Sequence, residues 1–554
     1  MAAVTEAPSA TRTGALETTE EPPTAAPRTS AGEGRERRLR ERLVGRIPSD
    51  RMLGWLGPLT AAVIGGILRF WNLGNPHQLV FDETYYVKQG WSMILFGVEM
   101  RNNASLDAAK QIDQNFTAGN VRTVYDPTVG DLVVHPPVGK WLIGWGEQLF
   151  GITNSVGWRF SVCVMGTLSI LMIGRAARRM FGSSFLGTVA AILLAFEGHH
   201  FVHSRTGLLD IIVMFWGFAG FCFLLIDRDA SRVVLARRVA ALPRGQLGRY
   251  GPSMGWRPYR WAAGLCLGLS TGTKWSGLYF VVVFGLMSVL WDMGARRAAG
   301  IPRWRTAWLF RDAPFAFVAI VGTTVVTYCL SWWGWFVSDN GYNRHWADTH
   351  GSSTWGWIPG SVRSWWNYHA QILEFHTHLT SDHPYKTNPW SWLIQGRPTS
   401  FFYEGPKKGS DGCTVAVCSK AITSIGTPSI WWGATLAIVV LLFMWALRRD
   451  WRAGAILAGF VGGYLPWFLL QDRTIYSFYA VAFVPFVVLA CVYVLGLFLG
   501  GPTASRQRRQ LGMAVTGSFV VVSVLLFAFF YPIYTAQVVP QEFWRAHMWF
   551  PSWV

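Results

Sequence analysis

Charge is scarce in this 554-residue sequence. Asp, Glu, Lys and Arg together make up 14% of it, where a soluble domain carries about 25%. The length would accommodate three or four soluble domains, but the composition excludes them. Cysteine is sparse as well, with seven in the whole chain, which excludes a disulfide-stapled scaffold. The first long apolar stretch begins only near Met52, so no cleavable signal peptide is expected. What is abundant points one way: hydrophobic residues reach 51%, with 31 Trp and 58 Gly. Trp gathers at membrane–water interfaces, and Gly is commoner in membrane helices than in soluble ones. The composition is that of an all-α polytopic membrane protein.

The formal net charge of +18 does not indicate nucleic acid, because the basic residues form short clusters between apolar runs rather than one continuous face. Residues 1–34 are rich in Ala, Thr, Pro and Glu and read as disordered. The basic run 35–42 is suited to anionic headgroups on the cytosolic side. With about 20 apolar residues needed per span, eleven candidates fall near 53–71, 157–175, 183–200, 206–227, 261–274, 275–293, 313–335, 429–447, 453–470, 475–499 and 513–533. The 261–274 segment is short enough to be broken or tilted.

Arginine placement orients these spans. With the N-terminus cytosolic, the inner loops at 175–179, 228–260, 296–311, 448–452 and 506–509 each hold an arginine cluster. Two large outer loops, 72–156 and 336–428, and an outer C-terminus follow. The chain divides into a tail (1–51), a membrane module with the first outer loop (52–335), the second outer loop (336–428), and the C-terminal spans and tail (429–554). Trp141 to Trp145 and Trp365 to His369 read as amphipathic interfacial segments of the outer loops. Cys413 and Cys418 share the second outer loop, where a disulfide and a free thiol pair both fit.

Six clusters could carry chemistry. Val80-Phe81-Asp82-Glu83-Thr84-Tyr85-Tyr86 places two carboxylates at the membrane edge, where low dielectric raises basicity and suits a general base; a solvated helix cap is the plain alternative. His135-Pro136-Pro137-Val138-Gly139-Lys140 could be a Pro-started interfacial helix with a snorkelling Lys. His199, His200 and His203 share a helix face, but no HExxH or matching carboxylate spacing accompanies them, so no metal site is assigned. Arg205 and Asp210 are charges at membrane depth, which are functional candidates by default. Gly272-Thr273-Lys274-Trp275-Ser276-Gly277 lacks the GxxxxGK[ST] spacing of a nucleotide loop. His383-Pro384-Tyr385 through Trp390 and Trp392, with Arg397, and Gln471-Asp472-Arg473 before Tyr476 and Tyr479 complete the set. All six fall on one side of a topology derived from arginine alone. Carboxylates, cationic phosphate grips and aromatic platforms at one lipid edge suit a lipid-phosphate-linked sugar donor.

At these residues the sequence resembles the protein O-mannosyltransferases of glycosyltransferase family 39 in their bacterial, actinobacterial-like form. Asp82-Glu83 looks like the acidic motif of GT-C enzymes, and His135 to Lys140 is similar to the family's HPPxGK element. Arg205 with Leu208-Leu209-Asp210 resembles its R…LLD helix, Lys274 to Gly277 its KWxG turn, and His383 to Trp392 its HPYxSxPWxW segment, with Thr387 and Asn388 as small departures. The segment from Trp544 to Trp553 also looks familial. The likeness runs from about residue 52 to 554. The large β-trefoil insertion of eukaryotic members has no room in 336–428, which implies a bacterial plasma membrane.

The resemblance implies a GT-C fold and inverting transfer of mannose from polyprenyl-phosphate-mannose to Ser/Thr hydroxyls of exported proteins on the outer face. It implies Asp82 as base with Glu83 beside it as a catalytic residue that orients the acceptor or Arg159. Lys274, His383, Arg397, Arg473 and Arg205 are the candidates for the donor phosphate. Tyr86, Arg159, His135, Lys140, Tyr385 and Trp390 are candidates for sugar or acceptor. A lipid monophosphate lacks the diphosphate that usually brings a metal, so no obligatory metal is expected, with Mg²⁺ left open. The Sec translocon is the expected neighbour and nucleic acid is not. The alternative is another GT-C transferase with a lipid or glycan acceptor; a transporter is disfavoured because no internal repeat is present.

Overall fold

The computed structural model describes residues 30–45, 49–103, 109–243, 245–351, 354–501 and 503–554. Among them, eight helices are long and apolar enough to cross a membrane: Leu53–Phe70, Ser155–Phe181, Leu209–Ala241, Gly277–Ala298, Trp304–Ser331, Pro428–Arg448, Ser477–Leu499 and Arg506–Tyr534. Their outward faces are apolar, as Leu56, Leu59, Val63 and Ile67 on the first show. The inward face of that helix carries Gly65 and Gly66, where a Cβ would press on Ile170 and Thr167 at 2.6 and 2.8 Å. Small residues let membrane helices approach this closely.

The three remaining expected spans are shorter helices, Ser184–Ala195, Pro258–Thr271 and Trp451–Gly463. At 1.5 Å per residue they reach about 18–21 Å, less than the roughly 30 Å hydrocarbon core. The first stops because Glu197 caps a new turn, Gly198–His203, accepting from His199 and His200 backbone N–H. The third gives way at Pro466 to a tighter turn, Leu465–Leu469. The count of eleven full spans therefore becomes eight long helices and three short ones.

Two other expectations change, and one left open is decided. Residues 1–29 lie outside the described residues, but Ser30–Val44, expected within a disordered tail, is a helix. Its Leu39 and Leu43, spaced i and i+4, pack on Leu235, Ala236 and Val239 at the far end of Leu209–Ala241. The architecture is also not purely helical. Met100–Asn102 pairs with Tyr125–Gly130, and an antiparallel sheet joins Thr399–Glu404, Cys418–Ser424 and Val538–Pro540 with Phe402 opposite Ile422 and Cys418 opposite Pro540. Finally, Cys413 and Cys418 are disulfide-bonded beside that sheet.

The loops 72–156 and 336–428 are largely structured. Glu83–Phe96, Val138–Phe150 and Gly360–His378 are helices, and the last two expose Trp145 and Trp366 on one side. Arginine-rich and motif-bearing ends are separated by the bundle. Asp210 is in the first turn of Leu209–Ala241 and Arg238 in its last, about 40 Å apart along the axis.

Candidate active site

The first outer segment turns sharply before its helix. Phe81 adopts a positive φ of 51°, which costs a bulky residue of order 1–3 kcal/mol unless its surroundings hold it. Here they do: its ring stacks on Phe401 at 4.7 Å and meets Phe478 edge-on at 5.2 Å. The turn therefore ties the loop 72–156 to the loop 336–428 and to the helix Ser477–Leu499.

The two carboxylates that follow part company. Glu83 is fully buried. Its Oε1 accepts from Arg159 Nε (2.8 Å) and Gly207 N (2.8 Å), and its Oε2 from Arg159 Nη2 (2.8 Å) and Val80 N (3.0 Å). Arg159 also donates to the carbonyls of Leu73, Pro76 and Gln78. This pair clamps the 73–83 turn from beneath, and neither member reaches a surface where an acceptor could lie. Of the two roles expected for Glu83, orienting the acceptor or Arg159, the second is the contact present here, and Arg159 is turned toward Glu83 and backbone carbonyls.

Asp82 is half-buried at the start of Glu83–Phe96, with the Tyr86 hydroxyl 3.5 Å from its Oδ2. Burial pushes its carboxyl up to about 6; Lys274 opposes this, Asp210 adds to it, and the Tyr86 hydroxyl again lowers it. Asp82 is thus ionised at neutral pH yet more basic than an ordinary carboxylate, the condition a general base needs.

Lys274 and Asp210, the two charges that act on Asp82, line a cavity of about 240 Å³ with His135, His376, Arg473 and Tyr479 among others; Asp82 and Tyr86 stand behind that lining. Lys274 Nζ donates to Asp210 Oδ2 at 2.8 Å and lies over the rings of Tyr86 (5.7 Å) and Tyr479 (5.5 Å). Two cationic groups thus border the space, but they differ. Lys274 is paired with Asp210, while among the described residues Arg473 has no side-chain partner and its buried Nε is unsatisfied. An unpaired guanidinium facing a cavity is suited to an anion.

The histidine wall is neutral. His135 stacks on His376 at 5.3 Å. Burial is the main cause that lowers both, His135 well below its ordinary value and His376 to about 4. Each keeps a buried Nδ1 without a partner, while His376 Nε2 is held by the Val134 carbonyl at 2.8 Å. These are groups for hydroxyls rather than for phosphate.

Several expected residues serve the frame instead. Lys140 is buried, donates to the His135 carbonyl at 2.7 Å and pairs with Glu99, so it orients His135 rather than touching sugar. Arg205 donates to the carbonyls of Leu68, Arg69, Trp71 and Asn72. It caps the C-terminal end of Leu53–Phe70, whose last carbonyls lack helical partners, and this replaces the expected phosphate contact. Arg397 donates to Pro384 O (2.7 Å) and Ser552 O (3.0 Å), and its guanidinium lies over Tyr385 (5.4 Å). It pins the HPY turn to the C-terminal tail. His383 accepts from Tyr385 N at 3.2 Å and meets Tyr476 edge-on. Trp390 is 72% exposed, its ring edge-on to Phe468 at 4.7 Å, and does not line the cavity. His383, Tyr385, Trp390 and Arg397 all lie outside the cavity lining.

The structure therefore gathers Asp82, Tyr86, His135, Lys274 and Arg473, which are more than 390 residues apart at the extremes. It sets Asp210 and Tyr479, from two of the sequence clusters, beside Lys274 and adds His376, which lies in a helix legible only as an aromatic interfacial patch. A single histidine inside an amphipathic helix carries no motif that would have marked it.

Comparison with known proteins is consistent across the chain. The family model described as dolichyl-phosphate-mannose-protein mannosyltransferase matches residues 59–336, and that of the C-terminal four TMM region of protein-O-mannosyltransferase matches 361–553. The chain is 37% identical over 518 residues to the polyprenol-phosphate-mannose–protein mannosyltransferase of Mycolicibacterium smegmatis (strain MKD8), covering 91% of this chain and 94% of the relative. It is 35% identical over 522 residues to that of Mycobacterium tuberculosis (strain ATCC 25618 / H37Rv), covering 91% and 93%. In fold it is similar to a chain of the S. cerevisiae protein O-mannosyltransferase Pmt1-Pmt2 complex bound to the sugar donor, with a TM-score of 0.65, 15% identity and 94% of each chain covered.

Proposed function

The chain belongs to the dolichyl-phosphate-mannose-protein mannosyltransferase family, and from that premise we propose that it transfers mannose from polyprenyl-phosphate-mannose to Ser/Thr hydroxyls of exported proteins. The observation that carries this is the juxtaposition of a basic, half-buried carboxylate, Asp82, with a cavity bordered by Lys274 and the unpartnered Arg473.

In this mechanism Asp82 takes the proton from the acceptor hydroxyl as its oxygen bonds to the mannose anomeric carbon. The bond from that carbon to the phosphate oxygen breaks on the opposite side, and polyprenyl phosphate leaves with the electron pair. Attack opposite the leaving group inverts the anomeric centre in one displacement, without a covalent enzyme intermediate. Arg473 meets the phosphate, and Lys274, oriented by Asp210, adds positive charge between base and leaving group. The neutral His135 and His376 offer nitrogens to sugar hydroxyls. Glu83 and Arg159 act as positioning residues, holding the turn that presents Asp82.

The outer face of the plasma membrane is supported by the separation of this cavity from the arginine-rich loops, which lie at the other end of Leu209–Ala241. Acceptors arriving extended from a translocon would meet the cavity on that side.

The test uses membranes bearing the full chain, polyprenyl-phosphate-mannose with radiolabelled mannose, and a peptide rich in Ser, Thr, Pro and Ala. Label enters the peptide with the wild type and not with Asp82→Asn. Label recovered in lipid or glycan instead would move the acceptor to another class, and equal transfer by Asp82→Asn would remove the assigned base.

A further inference from the structure

At the opposite end of the bundle from Asp82, the loop around 250–260 and the start of Trp304–Ser331 enclose a second cavity of about 130 Å³. Arg257, Arg260, Arg296, Arg311 and Asp312 line it. The first three arginines are paired behind the wall. Arg257 and Arg260 share Asp227 and Asp292, at 2.5 to 3.3 Å, and Arg296 chelates Asp312 at 2.6 and 2.7 Å. Four guanidiniums thus face three carboxylates, leaving one positive charge in excess.

Two groups in this cavity lack partners. Arg260 is fully buried, and its Nη1 has no hydrogen-bond acceptor; a buried charged donor left unpaired is costly. Arg311, exposed at the mouth, makes no ion pair or side-chain hydrogen bond among the described residues. It is carried on a π-helical turn, Trp308–Asp312, a deviation that recurs at functional sites. The volume equals that of about four water molecules of liquid, enough for a phosphate group with the rest of a headgroup left outside. Around the mouth, Trp256 (74%), Tyr259 (39%) and Phe310 (63%) expose aromatic rings, as side chains do at the membrane–water interface.

We propose that this cavity binds the phosphate of an anionic membrane lipid, with Arg260 inside and Arg311 at the mouth as the contacting cations. The excess charge excludes a cation, the size fits a phosphate, and the aromatic rim places the site where a headgroup lies with its acyl chains alongside the spans. A site here would join Pro258–Thr271, which ends at the Lys274 turn, to Trp304–Ser331 through a bound lipid, on the far side of the membrane from the catalytic cavity.

The full chain, purified and washed of lipid in a zwitterionic detergent, is titrated with phosphatidylglycerol, with phosphatidylcholine and with inorganic phosphate. Bound lipid is counted by native mass spectrometry and protection is followed by thermal unfolding. One phosphatidylglycerol should be retained in preference to phosphatidylcholine, and Arg311→Gln should weaken its retention about tenfold or more, the scale of a lost charge-assisted contact. Arg448→Gln, on another span at the same membrane face, should retain it as the wild type does. Arg260→Met tests the inner contact, and because it also strips a partner from Asp227 and Asp292, the exposed Arg311 variant decides the matter if that protein fails to fold. Equal retention by Arg311→Gln and wild type, or no preference over phosphatidylcholine, overturns the proposal. Protection by millimolar inorganic phosphate equal to that by lipid overturns the lipid as the source.

Discussion

Glu83 and Arg159 form a buried two-bond ion pair, Oε1 to Nε and Oε2 to Nη2 at 2.8 Å each, directly beside the half-buried Asp82. Adjacent carboxylates thus have opposite environments. One is saturated by four N–H groups and holds the chain; the other meets the Tyr86 hydroxyl at 3.5 Å and has a raised basicity. Division of labour between two neighbouring acids follows from this difference in environment.

Stability separates the pair. Glu83→Gln leaves Arg159 buried without its counter-charge and should cost on the order of 3–5 kcal/mol, seen as a lowered unfolding midpoint in detergent. Asp82→Asn should not lower it, because the fold disfavours the charge that the substitution removes. Equal destabilisation by both would contradict the assignment of Glu83 to the frame.

Catalysis separates them the other way. Asp82→Asn should reduce turnover by about a hundredfold or more, the scale for a general base, while donor binding stays near wild type. Arg473→Ala should weaken donor affinity, and Lys274→Met should affect both donor binding and turnover. Steady-state kinetics against donor concentration distinguishes these patterns.

The pH profile carries its own signature. The base must be deprotonated, so kcat/KM should fall about tenfold per unit as pH drops below about 6. Lys274 lowers the Asp82 value, so Lys274→Met should shift this acid limb to higher pH. A shift to lower pH, or none, would show that Lys274 does not act on Asp82.

Arg205 should behave as a helix cap. Arg205→Lys places one ammonium where a guanidinium serves four carbonyls, so protein stability should drop while the donor KM of the folded fraction is unchanged. Thermal unfolding together with donor titration checks both halves.

Much of the design was legible in the sequence because its causes are local. Apolar runs must cross or line a bilayer, so the eight long apolar helices follow from composition along the chain, and the arginine clusters at 228–260 and 296–311 carry the expected orientation. Asp82, His135, Lys274 and Arg473 stand out in the sequence as ionisable groups set among aromatic and apolar neighbours. Tertiary structure decided the rest. Successive side chains at a helix start point about 100° apart, so Asp82 and Glu83 meet different surroundings. The burial of Glu83 depends on Arg159 and the Gly207 N–H, 76 and 124 residues away. Arg205 and Arg473 are equal cations in the sequence; backbone carbonyls occupy the first and leave the second open. Hydrogen-bond partners distant in the chain, rather than residue type, divide the frame from the site.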